Sequence, residues 1–250
     1  MAARFHLDPT QTLCTGLSFK LPAGAARHAQ VLRLQPGDPL LLFNGTGGEW
    51  QAEILRMGRQ DVEVEVGRHV EREVELPLQV TLVAGMPAND RFDWLIEKAC
   101  ELGVAVIQPT LCERSVLRLS GERADKKRDH WQGAAAAAAE QCGATRVPVV
   151  RPVRTLEQVL RQQDGPAQPG DAHWILSLAE ARSLPQRWNE WQAPRQTLTL
   201  YSGPEGGWSP DEENRLRTAG ALPTRLGPRV LRSETAPIAA LAWIATQLHP

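Results

Sequence analysis

Hydrophobic and polar positions follow two different patterns, which divide the chain near residue 72. In the first part, short apolar runs alternate with polar positions at a period of two. Residues 29–34 (AQVLRL) read as an apolar strand entering the turn Pro36-Gly37-Asp38, with proline at its favoured position. Residues 40–43 (LLLF) follow, then the hairpin signal Asn44-Gly45, then residues 50–55 and 62–66. The run Val62-Glu63-Val64-Glu65-Val66 has one buried and one wet face, as an antiparallel sheet requires. Residues 1–72 are therefore expected to form a small β-barrel. Such a unit serves either as a surface for nucleic acid or as a structural cap. A charged, proline-closed connector, residues 67–77, marks the boundary.

Beyond it strands and helices take turns. Residues 78–84 (LQVTLVA) and 104–111 are buried strands. Between them, residues 89–103 place Phe92, Leu95, Ile96, Ala99 and Leu102 on one helical face, with Gly103 closing the helix. A helix is expected over 126–141, a strand over 147–153, a short helix over 156–163 and a loop over 166–171. Strands over 173–178, 196–201 and 221–226 and an apolar helix ending at Leu248 complete the set. Repeated β–α units imply a mostly parallel sheet with helices on both faces.

Two late strands run into glycine-bearing turns, Gly203-Pro204-Glu205-Gly206-Gly207 and Leu226-Gly227-Pro228-Arg229. Between them Ser209-Pro210-Asp211-Glu212 spells a helix start with a capping box. Two such turns at strand ends describe either a ligand pocket at the edge of a sheet or two tight connections with ordinary caps.

A formal net charge of −1 over 250 residues gives no global nucleic-acid signature, so any RNA contact has to come from local patches. Two are visible. From Arg215 to Arg232 there are five arginines and no acid, and near the N-terminal end Arg4, Lys20, Arg27 and Arg33 face only Asp8. Each run, taken alone, also suits a solvated face. The four cysteines are scattered, with neither metal-ligand nor disulfide spacing, so no metal is expected. With no apolar leader run, and no apolar stretch longer than residues 238–245, a cytoplasmic, soluble protein without membrane contact is expected. The first strand–helix turn of the second part, Val83–Pro87, lacks GxGxxG and GxxxxGK[ST], and no GxSxG elbow appears. Nucleotide hydrolysis, hydride transfer and covalent catalysis therefore have little support.

Four blocks in order, DWLIEKACELGVAVIQPTLCERS, WQGAAAAAAEQCGATRVPVV, GPEGGWSPDE and LGPRVLRSETA, resemble the RsmE family of 16S ribosomal-RNA uracil-N3 methyltransferases, of the SPOUT class. HAQVLRLQPGD, from His28, also fits that family's N-terminal domain. Minor departures, at Cys142-Gly143-Ala144-Thr145 and at Pro228, affect only local loop shape. The resemblance implies an α/β protein: a PUA-like β-barrel (residues 1–72), then a SPOUT α/β domain (73–250) with a C-terminal trefoil knot. It also implies S-adenosyl-L-methionine as cofactor, a homodimer, and methylation of one uridine of 16S rRNA in the small ribosomal subunit.

S-adenosylmethionine carries no phosphate, so backbone at converging turns can hold it. Ser177, Leu178, Gly203, Pro204, Glu205, Gly206, Leu226, Gly227, Val230 and Leu231 are the cofactor-binding candidates. Uridine N3 carries a proton at neutral pH. Arg229 or Arg232 can stabilise negative charge on the ring. Glu205 is a candidate proton acceptor that can equally bind a ribose hydroxyl or cap a turn. Glu234 and Thr235 are expected to start the last helix. For RNA phosphates the candidates are Arg4, Arg27, His28 and Arg33 on the barrel, with Arg114 and Arg118 after the 104–111 strand. The target base has to leave its stack. The modest charge favours a composite site on an assembled ribonucleoprotein, each barrel working with the other subunit's pocket. The competing readings are a non-catalytic RNA-binding assembly factor and a related knotted methyltransferase acting on tRNA.

Overall fold

Valines 62, 64 and 66 are fully buried while Glu65 between them is exposed, so the period-two pattern is realised as a half-wet sheet. The structure is a computed structural model that describes residues 2–88, 90–162, 170–192 and 194–248. It separates into two compact units, Met1–Glu75 with Ala136–Val147, and Leu76–Ala135 with Pro148–Pro250.

The first unit contains β1 (Ala3–His6), β2 (Ser18–Lys20), α1 (Ala23–Val31), β3 (Pro39–Phe43), β4 (Glu49–Met57) and β5 (Val62–Val70). Its sheet runs β1-β3-β4-β5-β2, antiparallel except where β1 lies parallel to β3. Leu42 faces Trp50 across the hairpin that Asn44-Gly45 predicts. Phe5, Leu7, Leu40, Leu42, Ile54 and the three valines form the core. The strand expected over 29–34 is instead the end of α1 and the turn after it. Ala26 and Ala29, three residues apart, are the buried face of that helix, whereas Val31 and Leu32 are 72% and 46% exposed. The apolar run misleads because its valine and leucine do not enter the core.

The second unit contains β6 (Gln79–Gly85), α2 (Asp90–Glu101), β7 (Val106–Leu111), and α3 (Gly121–Cys142), whose residues from Ala136 count with the first unit. Then come β8 (Val149–Val150), β9 (Arg154–Thr155), α4 (Leu156–Arg161), β10 (Asp171–Leu176), β11 (Arg182–Ser183) and α5 (Leu184–Glu190). The series ends with β12 (Thr197–Ser202), α6 (Pro210–Thr218), β13 (Leu222–Arg225) and α7 (Thr235–Leu248). The sheet order is β11-β13-β10-β12-β6-β7-β8, with β9 also on β7, and every pairing is parallel.

The strand expected over 147–153 shrinks to the two residues of β8, bracketed by Pro148 and Pro152, which have no N–H to donate. Helix α3 begins five residues before the expected Lys126, because its polar first turns carry no apolar periodicity. β11 and α5 were not anticipated, although Ser183-Leu184-Pro185-Gln186 is itself a capping box. Asn89, Gln163 and residues 166–169 of the expected loop lie outside the described residues. Among the described residues no helix is long and apolar enough to cross a membrane.

Candidate functional site

Four neighbouring strands of the second unit, β13, β10, β12 and β6, end around one cavity of about 640 Å³, within the usual size of a small-molecule site. Three turns supply most of its lining. The turn after β10 contributes Ser177 and Leu178. The turn after β12 contributes Gly203 to Trp208, and the long loop after β13 contributes Leu226 and Arg229 to Ser233.

Each turn is fixed by identifiable bonds. Ser177 donates its N–H to the Thr224 carbonyl (3.1 Å) and its Oγ–H to Glu213 Oε1 (2.9 Å), while its Oγ accepts from Ala179 N–H. Glu213 is in turn clamped by Arg217 at 2.8 Å. The middle turn closes on Gly207 N–H to Pro204 O (2.8 Å), and Arg114 caps it by donating to the carbonyls of Gly206 and Trp208. It lies against β6 because Gly85 has no side chain: a Cβ there would stand 2.5 Å from Pro204 N. A Cβ on Gly206 would meet Arg114 Cβ at 2.8 Å. Ser202 Oγ reaches the Ser233 carbonyl (3.4 Å), which ties the last loop to β12. Behind the middle turn, the expected capping box of Ser209 and Glu212 is present, and buried Glu212 also accepts from Glu113 N–H at 2.8 Å.

Charge and polarity are unevenly spread. Arg225, Arg229 and Arg232 are exposed on the rim, and among the described residues none has a carboxylate within ion-pair distance. Large apolar side chains are also left uncovered there: Leu178 (48% exposed), Val230 (85%) and Leu231 line the cavity. Backbone turns and bare apolar side chains suit an uncharged nucleoside moiety, while the rim of cations suits negative charge held beside it.

Of the cofactor candidates, Ser177, Leu178, Gly203, Pro204, Glu205, Gly206, Leu226, Val230 and Leu231 share the cavity, and Gly227 alone does not line it. Arg229, Arg232 and Glu205 line it as well. The Glu205 carboxylate is already engaged, accepting from Ala88 N–H at 2.7 Å with Arg91 at 3.7 Å.

The phosphate candidates scatter. Arg4 is buried, ion-paired with Glu49 (3.2 Å) and donating to the Ala144 carbonyl, and burial holds its guanidinium below the usual arginine range. Arg27 and Arg33 are exposed on the first unit, and His28 stands 3.8 Å from Glu140. Arg114 is spent on turn carbonyls and Arg118 donates to the Glu113 carbonyl. Sequence reasoning missed Arg91, Glu213 and Arg225 in the lining. Arg91 had a usable signal: it opens the helix after β6, at the strand ends where α/β sheets bind ligands, but that turn was discounted for lacking phosphate-type glycines.

Residues 74–245 match the family described as the RNA methyltransferase domain, and residues 21–67 match the RNA methyltransferase PUA domain. The ribosomal RNA small subunit methyltransferase E of Bacillus subtilis is 31% identical, over 98% of this chain and 96% of its own length. That of Synechocystis is 34% identical over 100% and 79%. The crystal structure of a ribosomal RNA small subunit methyltransferase E from Neisseria gonorrhoeae bound to S-adenosyl methionine superposes with a TM-score of 0.90, at 34% identity over 99% and 98% of the two chains. A putative methyltransferase from Legionella pneumophila in complex with the bound cofactor SAM also gives 0.90, at 32% identity with the same coverage.

Proposed function

The chain belongs to the ribosomal RNA small subunit methyltransferase E family, and from that premise we propose that it methylates N3 of one uridine in 16S rRNA, using S-adenosylmethionine. The observation that carries the reading is the convergence of the turns after β10, β12 and β13 on one cavity. Its residues fit that cofactor: the Gly85 and Gly206 cradle lets turn backbone close in, and Leu178, Val230 and Leu231 offer apolar surface to a purine. Ser177, Leu178, Gly203–Gly206 and Leu226–Leu231 would hold it. S-adenosylmethionine supplies an activated methyl group on a sulfonium.

The chain's own contribution is orientation and charge. Holding acceptor and donor in line removes much of the barrier that free reactants face. Arg229 and Arg232, with no carboxylate in ion-pair distance among the described residues, stabilise negative charge on the pyrimidine oxygens as N3 gives up its proton to solvent water. Glu205, already hydrogen-bonded by Ala88, serves to position its neighbours. Arg4, buried and paired, is left out of the RNA-facing set; Arg27, His28 and Arg33 remain in it. In this reading residues 1–72 carry RNA and residues 73–250 perform the transfer. The chain works as a homodimer in the cytoplasm, and its C-terminal segment passes through a trefoil knot. The sheet order supports the knot, since β13 lies beyond β10 rather than beyond β12.

The test offers labelled cofactor to naked 16S rRNA, to small subunits lacking the modification and to tRNA, followed by mass spectrometry. Label as 3-methyluridine at one 16S position is expected, and better incorporation into subunits than into naked RNA. Label in tRNA, or none, rejects the reading. Arg232→Ala should lose transfer while keeping cofactor affinity by calorimetry; equal loss of both removes its role in the methyl-transfer step.

A further inference from the structure

The cavity has a fourth side, beyond the end of β6, that the three turns assigned to the cofactor do not supply. The turns assigned to the cofactor follow β13, β10 and β12, whereas Arg91 stands in the first turn of α2, directly after β6. Strands in a sheet lie about 4.8 Å apart, which puts the β6 end about 10 Å from the β10 turn and farther still from β13. Arg91 is thus a cation at the far end of the same cavity. Its side chain is 47% exposed, and its one carboxylate neighbour among the described residues, Glu205, is 3.7 Å away, beyond hydrogen-bond length. Glu205 Oε1 is held by Ala88 N–H at 2.7 Å, so the carboxylate stays in place whether or not the arginine turns toward a stronger partner. A weakly engaged guanidinium at a cavity mouth, held in place by a fixed carboxylate, is preset for an anionic acceptor with paired oxygens.

We propose that Arg91 binds a phosphate of the substrate RNA beside the nucleotide that enters the cavity, with Glu205 as its positioning residue. This rests on the RNA methyltransferase reading above. The rim arginines after β13 then attend the base, while Arg91 fixes the strand from which the base has been turned out. A phosphate is favoured over the base because the side chain is half in solvent. It is favoured over the carboxylate of the cofactor because Arg91 belongs to none of the three turns assigned to the cofactor.

The experiment compares the wild-type chain with Arg91→Met, Arg91→Lys and Glu205→Gln, after melting curves have shown each to be folded. Arg91→Met should raise KM for small subunits about tenfold, a loss of about 1.4 kcal/mol, with cofactor affinity unchanged. It should also reduce the slope of log affinity for RNA against log salt by about 0.7–0.9, as one lost phosphate contact does. Arg91→Lys should restore the slope but only part of KM, because an ammonium cannot make the paired contact. Glu205→Gln, whose amide oxygen still accepts from Ala88, should raise KM less and leave the pH profile of kcat alone. An active Arg91→Met enzyme with unchanged KM and salt slope overturns the proposal. So does a loss of cofactor affinity matching the loss in KM, or a Glu205→Gln enzyme whose kcat loses its pH dependence, which would make Glu205 the base. Failure of the wild-type chain to label small-subunit RNA is a different result: it removes the functional reading and this inference with it.

Discussion

Gly85 shows how much of the site depends on one absent methyl group. The nearest atoms to its missing side chain are the backbone nitrogen and Cδ of Pro204, at 2.5 and 2.6 Å, and neither belongs to a flexible side chain that can swing away. Gly85→Ala should therefore push the turn after β12 off β6. It should cost about 1–3 kcal/mol of stability, as overpacking does, and weaken cofactor binding in calorimetry; a variant that binds normally would show that this close approach is not needed. Thiol chemistry gives a second outcome at this scale. Cys112 is buried beside Glu212, and burial above all pushes its thiol up to about 12, so at neutral pH it has almost no thiolate to react. Cys100 is buried too, while Cys14 and Cys142 are exposed. Two of the four thiols should react with an aromatic disulfide in the native protein and all four after unfolding. Rapid native labelling of Cys112 would contradict its enclosure.

Helix α6 is where the sequence reads most directly into structure. Ser209, Pro210 and Glu212 alone predict its first turn, and the capping box forms as written, because the cap is a local motif satisfied within four residues. What the motif does not reveal is the second use of Glu212, whose other oxygen accepts from Glu113, 99 positions earlier. Local signals cannot carry such a link. The same limit explains α1, where strand-like residues 29–34 turned out helical because tertiary packing chose the alanines, and β8, where prolines cut an apolar run short. Ser209→Ala should cost about 1 kcal/mol, the usual value of a cap. Glu212→Ala should cost more, about 2–4 kcal/mol, because it strands the N–H groups of Ser209 and Glu113. The two losses should fall short of additive, since both residues belong to one box. Urea unfolding measures all three, and equal costs for the single variants would mean that the Glu113 bond contributes nothing.

For the whole molecule, the turns of the site were legible because glycine and proline mark them in the sequence, whereas Arg91 and Glu213 were not, since only the parallel strand order brings them to the same cavity. Net charge was equally uninformative: −1 overall hides a rim where three arginines have no carboxylate in ion-pair distance among the described residues. Titration behaviour separates the two units in a way that no composition conveys. His173 on β10, in the second unit, and His6 on β1, in the first, both have depressed pKa values because burial disfavours the charged ring. For such a group the unfolded chain binds more protons, so its stabilising contribution is complete above the ordinary histidine value of 6.5 and is lost as pH falls through the lower folded value. Glu140, counted with the first unit, is shifted the other way: burial raises it, so its contribution is complete below 4.5 and is lost as pH rises through the folded value. Between about pH 4.5 and 6.5 the first unit therefore holds two opposing groups, while in the second unit His173 acts without a buried, raised carboxylate among the described residues. Acidification through this window should loosen the second unit first. Hydrogen exchange at pH 7.5 and pH 5 should show protection falling in β10 and β12 before β3 and β4, and His173→Asn should flatten that dependence. Equal loss of protection in both units, or a dependence that survives the substitution, would show that His173 does not set the acid limit.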